Sequence, residues 1–106
     1  MSEVFALDQL QAKRVQAGRS YLEFLRVPTM SAGIYVLPAA AKDPQSPHNQ
    51  DEIYYVISGA GKMRLGSEDR RVEKGSVILV EAGLEHRFFD IEQELLLLVI
   101  FAPPEG

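Results

Sequence analysis

The sequence predicts an all-β protein, an antiparallel barrel or sandwich that carries one short amino-terminal helix. Two observations point there. From Tyr21 onward, short runs of β-branched, aromatic and leucine residues recur at close intervals, and glycine-containing turns separate them. Before Tyr21, a single stretch is rich in good helix formers and is stopped by Gly18.

The helix is placed at about residues 8–17. Asp8 is the expected cap, Gln11 stands at the reciprocal capping position, and Leu10, Ala12, Val15 and Ala17 form a thin apolar face. A helix with so little apolar surface is expected to pack on the outside of a larger β core. Strands are then expected at Tyr21–Val27, Ile34–Leu37, Glu52–Ile57, Lys62–Leu65, Arg70–Glu73, Val77–Val80, His86–Asp90 and Leu95–Phe101. Turns are expected at Ser58-Gly59-Ala60-Gly61, Leu65-Gly66-Ser67, Lys74-Gly75 and Ala82-Gly83. Residues 39–51 read as a loop, because Asp43-Pro44-Gln45-Ser46-Pro47 holds neither a helix nor a central strand. Leu95 to Phe101 is apolar at both parities, so both faces of that strand are expected to be covered, one by the core and the other by the helix or a second subunit. The tail Ala102-Pro-Pro-Glu-Gly reads as an extended terminus.

A length of 106 residues fits one domain, with the barrel over about residues 20–102. The net charge of −4 argues against a broad nucleic-acid footprint. With no cysteine, the chain has no disulfide framework, thiolate metal site or cysteine nucleophile. The start of the chain lacks the basic-then-apolar pattern of a secretory signal, and Leu95 to Ala102 is too short to span a bilayer. A cytoplasmic location without membrane contact is the resulting expectation. So small a barrel buries a limited core, and a homodimer is expected.

The chemistry concentrates in two blocks, which hold both histidines of the chain: His48-Asn-Gln-Asp-Glu52 leading into Ile-Tyr-Tyr-Val-Ile, and Gly75 running through Gly83 to His86. Two imidazoles and a carboxylate on neighbouring strands make a nitrogen/oxygen metal site. On strand parity Glu52, Tyr54 and Val56 share one face, and His86, Phe88 and Asp90 share another.

The spacing His48-x-x-x-Glu52-x-x-x-x-x-x-Gly59, followed by Gly75-x-x-x-x-x-Glu81-x-Gly83-x-x-His86, resembles the two motifs of the cupin superfamily. The fifteen residues from Ala60 to Lys74 resemble the short inter-motif form common among bacterial cupins. The resemblance implies a cupin-type antiparallel β-barrel, or jelly roll (a double-stranded β-helix). It also implies His48, Glu52 and His86 as ligands of one divalent transition metal: iron, zinc, manganese or nickel. Three positions depart from the family pattern: Ser46 stands where the first motif histidine would be, Glu81 replaces the proline of the second motif, and Asp90 replaces its trailing asparagine. Two histidines and one carboxylate then remain, the ligand set of non-haem iron sites that keep positions open for oxygen and substrate. The fourth position falls to water, or to Gln45 or Ser46.

Tyr54 and Phe88 are expected to wall a substrate pocket, with Gln45 at its edge. No separate general base stands out. Gln50 and Asp51 are candidates for supporting a ligand imidazole, against the simpler reading of solvated loop residues. Two functions follow from the resemblance. One is a metal-dependent enzyme acting on a small organic molecule, with dioxygenase-like chemistry slightly favoured and isomerisation also open. The other is a non-catalytic small-molecule-binding or sensing module.

Overall fold

The structure, a computed structural model, describes residues 3–44 and 46–105. One helix, α1 (Leu7–Ala17), precedes β1 (Tyr21–Val27), β2 (Met30–Leu37), β3 (Asp51–Leu65), β4 (Glu68–Glu73), β5 (Val77–Val80) and β6 (His86–Ala102). The strands pair in the order β1-β2-β6-β3-β4, with β5 on β3, and every pairing is antiparallel. The expected all-β architecture is therefore present. Among the described residues, no helix is long and apolar enough to cross a membrane.

The helix begins one residue before Asp8. Ala6 is the N-cap, with extended backbone angles and its carbonyl accepting from Leu10 N–H at 3.1 Å. The expected capping box does not form. Asp8 accepts from Gln9 N–H and Gln11 accepts from Arg14, so Asp8 acts at most as a first-turn charge favourable to the helix dipole. Gly18 ends the helix in the left-handed conformation, as expected. Leu10 is its one buried residue, and α1 rests on β1 from outside.

The larger correction concerns β3 and β6. Each was expected as two strands and is instead one long bulged strand, of 15 and 17 residues. In β3 the buried face runs Glu52, Tyr54, Val56, then passes through Ala60 to Met63. In β6 it runs His86, Phe88, then Ile91, Leu95, Leu97, Val99 and Phe101. Register shifts in β3 between Val56 and Lys62, and the positive φ of Asp90 in β6, switch the inward parity along each strand. A change of parity in a sequence looks like the end of one strand and the start of another. The Ser58–Gly61 segment is thus a bulge and not a turn: Gly59 has φ 98°, and a Cβ added there would collide with the Glu94 carbonyl.

Each half of β3 carries a further neighbour, β5 on residues 52–55 and β4 on residues 60–65. The sheet curls around a core of Leu37, Tyr54, Val56, Met63, Val72, Leu95, Leu97, Val99 and Phe101. Its outer face is only partly covered. Ile53, Tyr55, Val77 and Leu79 stand exposed beside half-buried Leu98 and Ile100.

Candidate metal centre

Glu52 is the second residue of β3 and His86 the first of β6, each on the inward face and only 2% exposed. His48 comes from the loop before β3, which is pinned to the turn before β6 because Gly83 N–H donates to the His48 carbonyl at 2.7 Å. The adjoining turn is stapled as well: Asp51 Oδ1 accepts from Ala82 N–H at 2.9 Å. Asp51 therefore supports the site through backbone placement, and Gln50 donates to the Pro104 carbonyl at 3.3 Å.

One ligand atom from each of His48, Glu52 and His86 lies within 4.8 Å of the others, a spacing compatible with holding a metal ion. His86 Nε2 is 3.2 Å from Glu52 Oε1, and His48 Nε2 is 4.0 Å from the same oxygen. The imidazoles of His48 and His86 are 5.4 Å apart, and Phe101 meets the His48 ring edge-on.

The polar atoms inside explain what this arrangement suits. His86 Nδ1 lies 2.9 Å from the Leu84 carbonyl, an acceptor, so Nδ1 carries the proton and the neutral ring presents a lone pair at Nε2. That lone pair faces a buried carboxylate, neither of whose oxygens receives a hydrogen bond among the described residues. Two lone-pair groups face each other out of water, an arrangement that costs free energy until a cation or a proton enters between them. Burial lowers the His86 pKa. The interaction with Glu52, the Leu84 carbonyl and the charges of Glu52 and Asp43 outweigh it and leave the pKa raised. The Tyr54 hydroxyl stands 3.4 Å from His86 Nε2.

A pocket of about 260 Å³ opens onto this group and is lined by Ser20, Tyr21, Tyr35, His48, Glu52, Tyr54, Val99 and Glu105. Tyr54 lies in its wall. Phe88 does not; it sits in the core with its ring edge-to-face against Tyr54 at 5.0 Å, backing the wall. Gln45 lies outside the described residues. Arg87 is exposed, while Arg26 and Arg64 pair with Glu23 and Asp69 at 2.8 Å.

Sequence reasoning missed Tyr21, Tyr35 and Glu105. Tyr21 and Tyr35 face one another across the β1–β2 ladder, and the Tyr21 ring lies over Gly33, where any side chain would collide with it. The Tyr21 hydroxyl is buried without a hydrogen-bond partner, whereas that of Tyr35 donates to Asp43. Burial raises both phenol pKa values, reinforced by Glu105 for Tyr21 and by Asp43 for Tyr35. Asp43 also accepts from Phe88 N–H, so it ties the 39–50 loop to β6. Gly33 pairs with Glu23 and lies diagonal to Tyr21, a relation that only the strand register reveals, and register is not written in a single sequence.

Comparison with known proteins agrees with the fold. A family model described as a cupin domain matches residues 33–101. An uncharacterized protein of Streptomyces coelicolor is 46% identical over 104 residues, covering 98% of this chain and 99% of its own length. A solved structure from Thermus thermophilus is similar, with a TM-score of 0.74 at 23% identity over 97% of this chain and 99% of that one. An RmlC-like protein of Methanocaldococcus jannaschii with a double-stranded β-helix fold is also similar, with a TM-score of 0.72 at 18% identity and 78% of each chain covered.

Proposed function

This chain belongs to the cupin family, and on that premise we propose that it is a metal-binding protein, one cupin domain over residues 1–106, acting as a metal-dependent enzyme on a small organic molecule. The observation that carries this reading is the facing pair of acceptors, Glu52 and His86 Nε2, held in a buried site with no donor to the carboxylate. The donor set fits a divalent transition metal: two imidazole nitrogens and one carboxylate oxygen suit iron, zinc, manganese or nickel. His48, Glu52 and His86 would hold it. Such a metal supplies Lewis acidity and, where it is iron, activation of oxygen, which favours dioxygenase-like chemistry slightly.

The protein's own residues set the rest. Glu52 and His86 are fixed by the sheet, so the donor geometry is preorganised. Tyr54, beside His86, would orient a bound molecule and hold a proton on its hydroxyl. The unpartnered Tyr21 hydroxyl offers a second hydrogen bond to that molecule. Among the described residues no lysine or arginine lines the pocket, so an anionic substrate would meet no side-chain counter-charge from them there.

Tyr21 also favours a second reading, a non-catalytic small-molecule-binding or sensing module. The partly uncovered outer face around Ile53, Tyr55, Val77 and Leu79 supports a homodimer through contact with a second copy, since an exposed apolar patch on so small a barrel gains most from its own symmetry mate. Elemental analysis of freshly purified wild type and His86→Ala tests the metal reading. Near-stoichiometric metal lost in the variant supports it, and metal-free wild type after reconstitution would leave only the organic-ligand reading. Turnover that stops on metal removal, as opposed to weakened binding alone, separates enzyme from binder.

A further inference from the structure

We propose that Glu105 is a positioning residue for the metal site, its carboxylate holding the His48 ring so that Nε2 faces Glu52 and His86. The inference rests on the metal-binding reading above. Glu105 Oε2 lies 3.5 Å from His48 Nδ1, while Nε2 of the same ring lies 4.0 Å from Glu52 Oε1. The two nitrogens point to opposite sides of an imidazole. A carboxylate on the Nδ1 side is therefore not a ligand; it keeps the proton at Nδ1 and leaves the lone pair at Nε2. Glu105 does for His48 what the Leu84 carbonyl does for His86.

The need for such a group is greater at His48. Glu52 and His86 stand on paired strands, and His48 stands on a loop. Glu105 is itself seated by its neighbours. Its N–H donates to Ser31 Oγ at 3.0 Å, and Ser31 is fully buried on β2. Its carbonyl accepts from the Arg26 guanidinium, and the carbonyl of Pro104 accepts from Gln50. Three separated parts of the chain thus bring this carboxylate to the pocket rim, where it is among the lining residues. A distance of 3.5 Å is long for a formed hydrogen bond, and such contacts tighten when the site is engaged.

The test is Co²⁺ binding by full-length wild type, Glu105→Ala and Glu105→Gln, with affinity read by chelator competition and ligand number by the visible spectrum. Glu105→Ala should weaken binding about 10- to 100-fold without changing the coordination spectrum. Glu105→Gln, whose amide oxygen still accepts from Nδ1–H, should fall between. In a His48→Ala background, Glu105→Ala should change affinity by less than about twofold, because the route through the ring is gone. Ser31→Ala, which unseats Glu105 but keeps its carboxylate, should give a smaller loss in the same direction. Wild-type affinity in Glu105→Ala, a spectrum reporting a lost ligand, or an equal loss without His48 would overturn the inference and leave the metal site standing. Failure of wild type itself to bind Co²⁺ would overturn both.

Discussion

Glu52 and His86 touch at 3.2 Å although they belong to opposite ends of one β ladder: Glu52 pairs with Phe101, and His86 pairs with Leu65. Glu52 and Leu65 stand thirteen positions apart along β3. In a flat sheet that is roughly 40 Å at about 3.3 Å per residue, so the contact exists only because the sheet curls on itself.

That contact is favourable for a cation and unfavourable without one. Glu52→Gln replaces a buried, undonated carboxylate with an amide whose N–H can reach the His86 lone pair. Metal-free Glu52→Gln should therefore be more stable than metal-free wild type at pH 8, by about 1–3 kcal/mol, and should lose metal-induced stabilisation. Urea denaturation with and without Zn²⁺ measures both. A less stable variant would mean that the carboxylate has donors in solution.

The raised pKa of His86 gives a pH dependence of definite sign. The folded protein holds this proton more tightly than the unfolded chain, whose value is near 6.5. The associated stability is fully present below about pH 6.5 and is lost as pH rises through the higher folded value, at up to about 1.4 kcal/mol per pH unit. Metal competes with the same proton, so metal affinity should rise across that window. Denaturation of the metal-free protein from pH 5.5 to 8.5 should show falling stability from this group, and His86→Ala should flatten the slope. An unchanged slope in the variant would assign the dependence elsewhere.

The bulge should be the most sensitive backbone position. Gly59 combines a φ of 98° with a site where an added Cβ would collide with the Glu94 carbonyl, whereas at Gly75, with φ 92°, it would meet open space. Gly75→Ala should cost about 1 kcal/mol from backbone strain alone. Gly59→Ala should cost more than about 3 kcal/mol, since β6 must move as well. Comparable costs in chemical denaturation would mean that the β3–β6 approach is softer than it looks.

The outer face predicts assembly. Val77 and Leu79 are 67% and 58% exposed on β5, beside Ile53 and Tyr55. A Val77→Glu/Leu79→Glu double variant should be monomeric by sedimentation while wild type is dimeric, with an unchanged circular dichroism spectrum. Monomeric wild type at micromolar concentration would remove the homodimer from the proposal.

Much of the fold was legible because turn chemistry and side-chain alternation are local. Tyr21–Val27 and Val77–Val80 are found where the sequence puts them, and the motif spacing singles out His48, Glu52 and His86. The long strands were not legible. Bulges at Gly59–Gly61 and Asp90 invert the inward parity within one strand, and a sequence cannot distinguish that from two strands and a turn. Nor was the Asp8 cap: the helix starts at Leu7, where tertiary contact such as Phe5 against Phe24 helps fix the entry of the chain.

By itself the sequence determined the residue types able to bind a metal, their spacing, and a β architecture to carry them, because these depend on composition and short-range pattern. Tertiary structure alone decided which lone pairs face each other, that Phe88 stands behind Tyr54, and that Tyr21 fills the space left by Gly33. It also decided that Glu105 returns to His48 across 57 residues of chain. Curling a sheet joins residues far apart along the ladder, and the few ångströms that fix a proton or a metal are set by that closure.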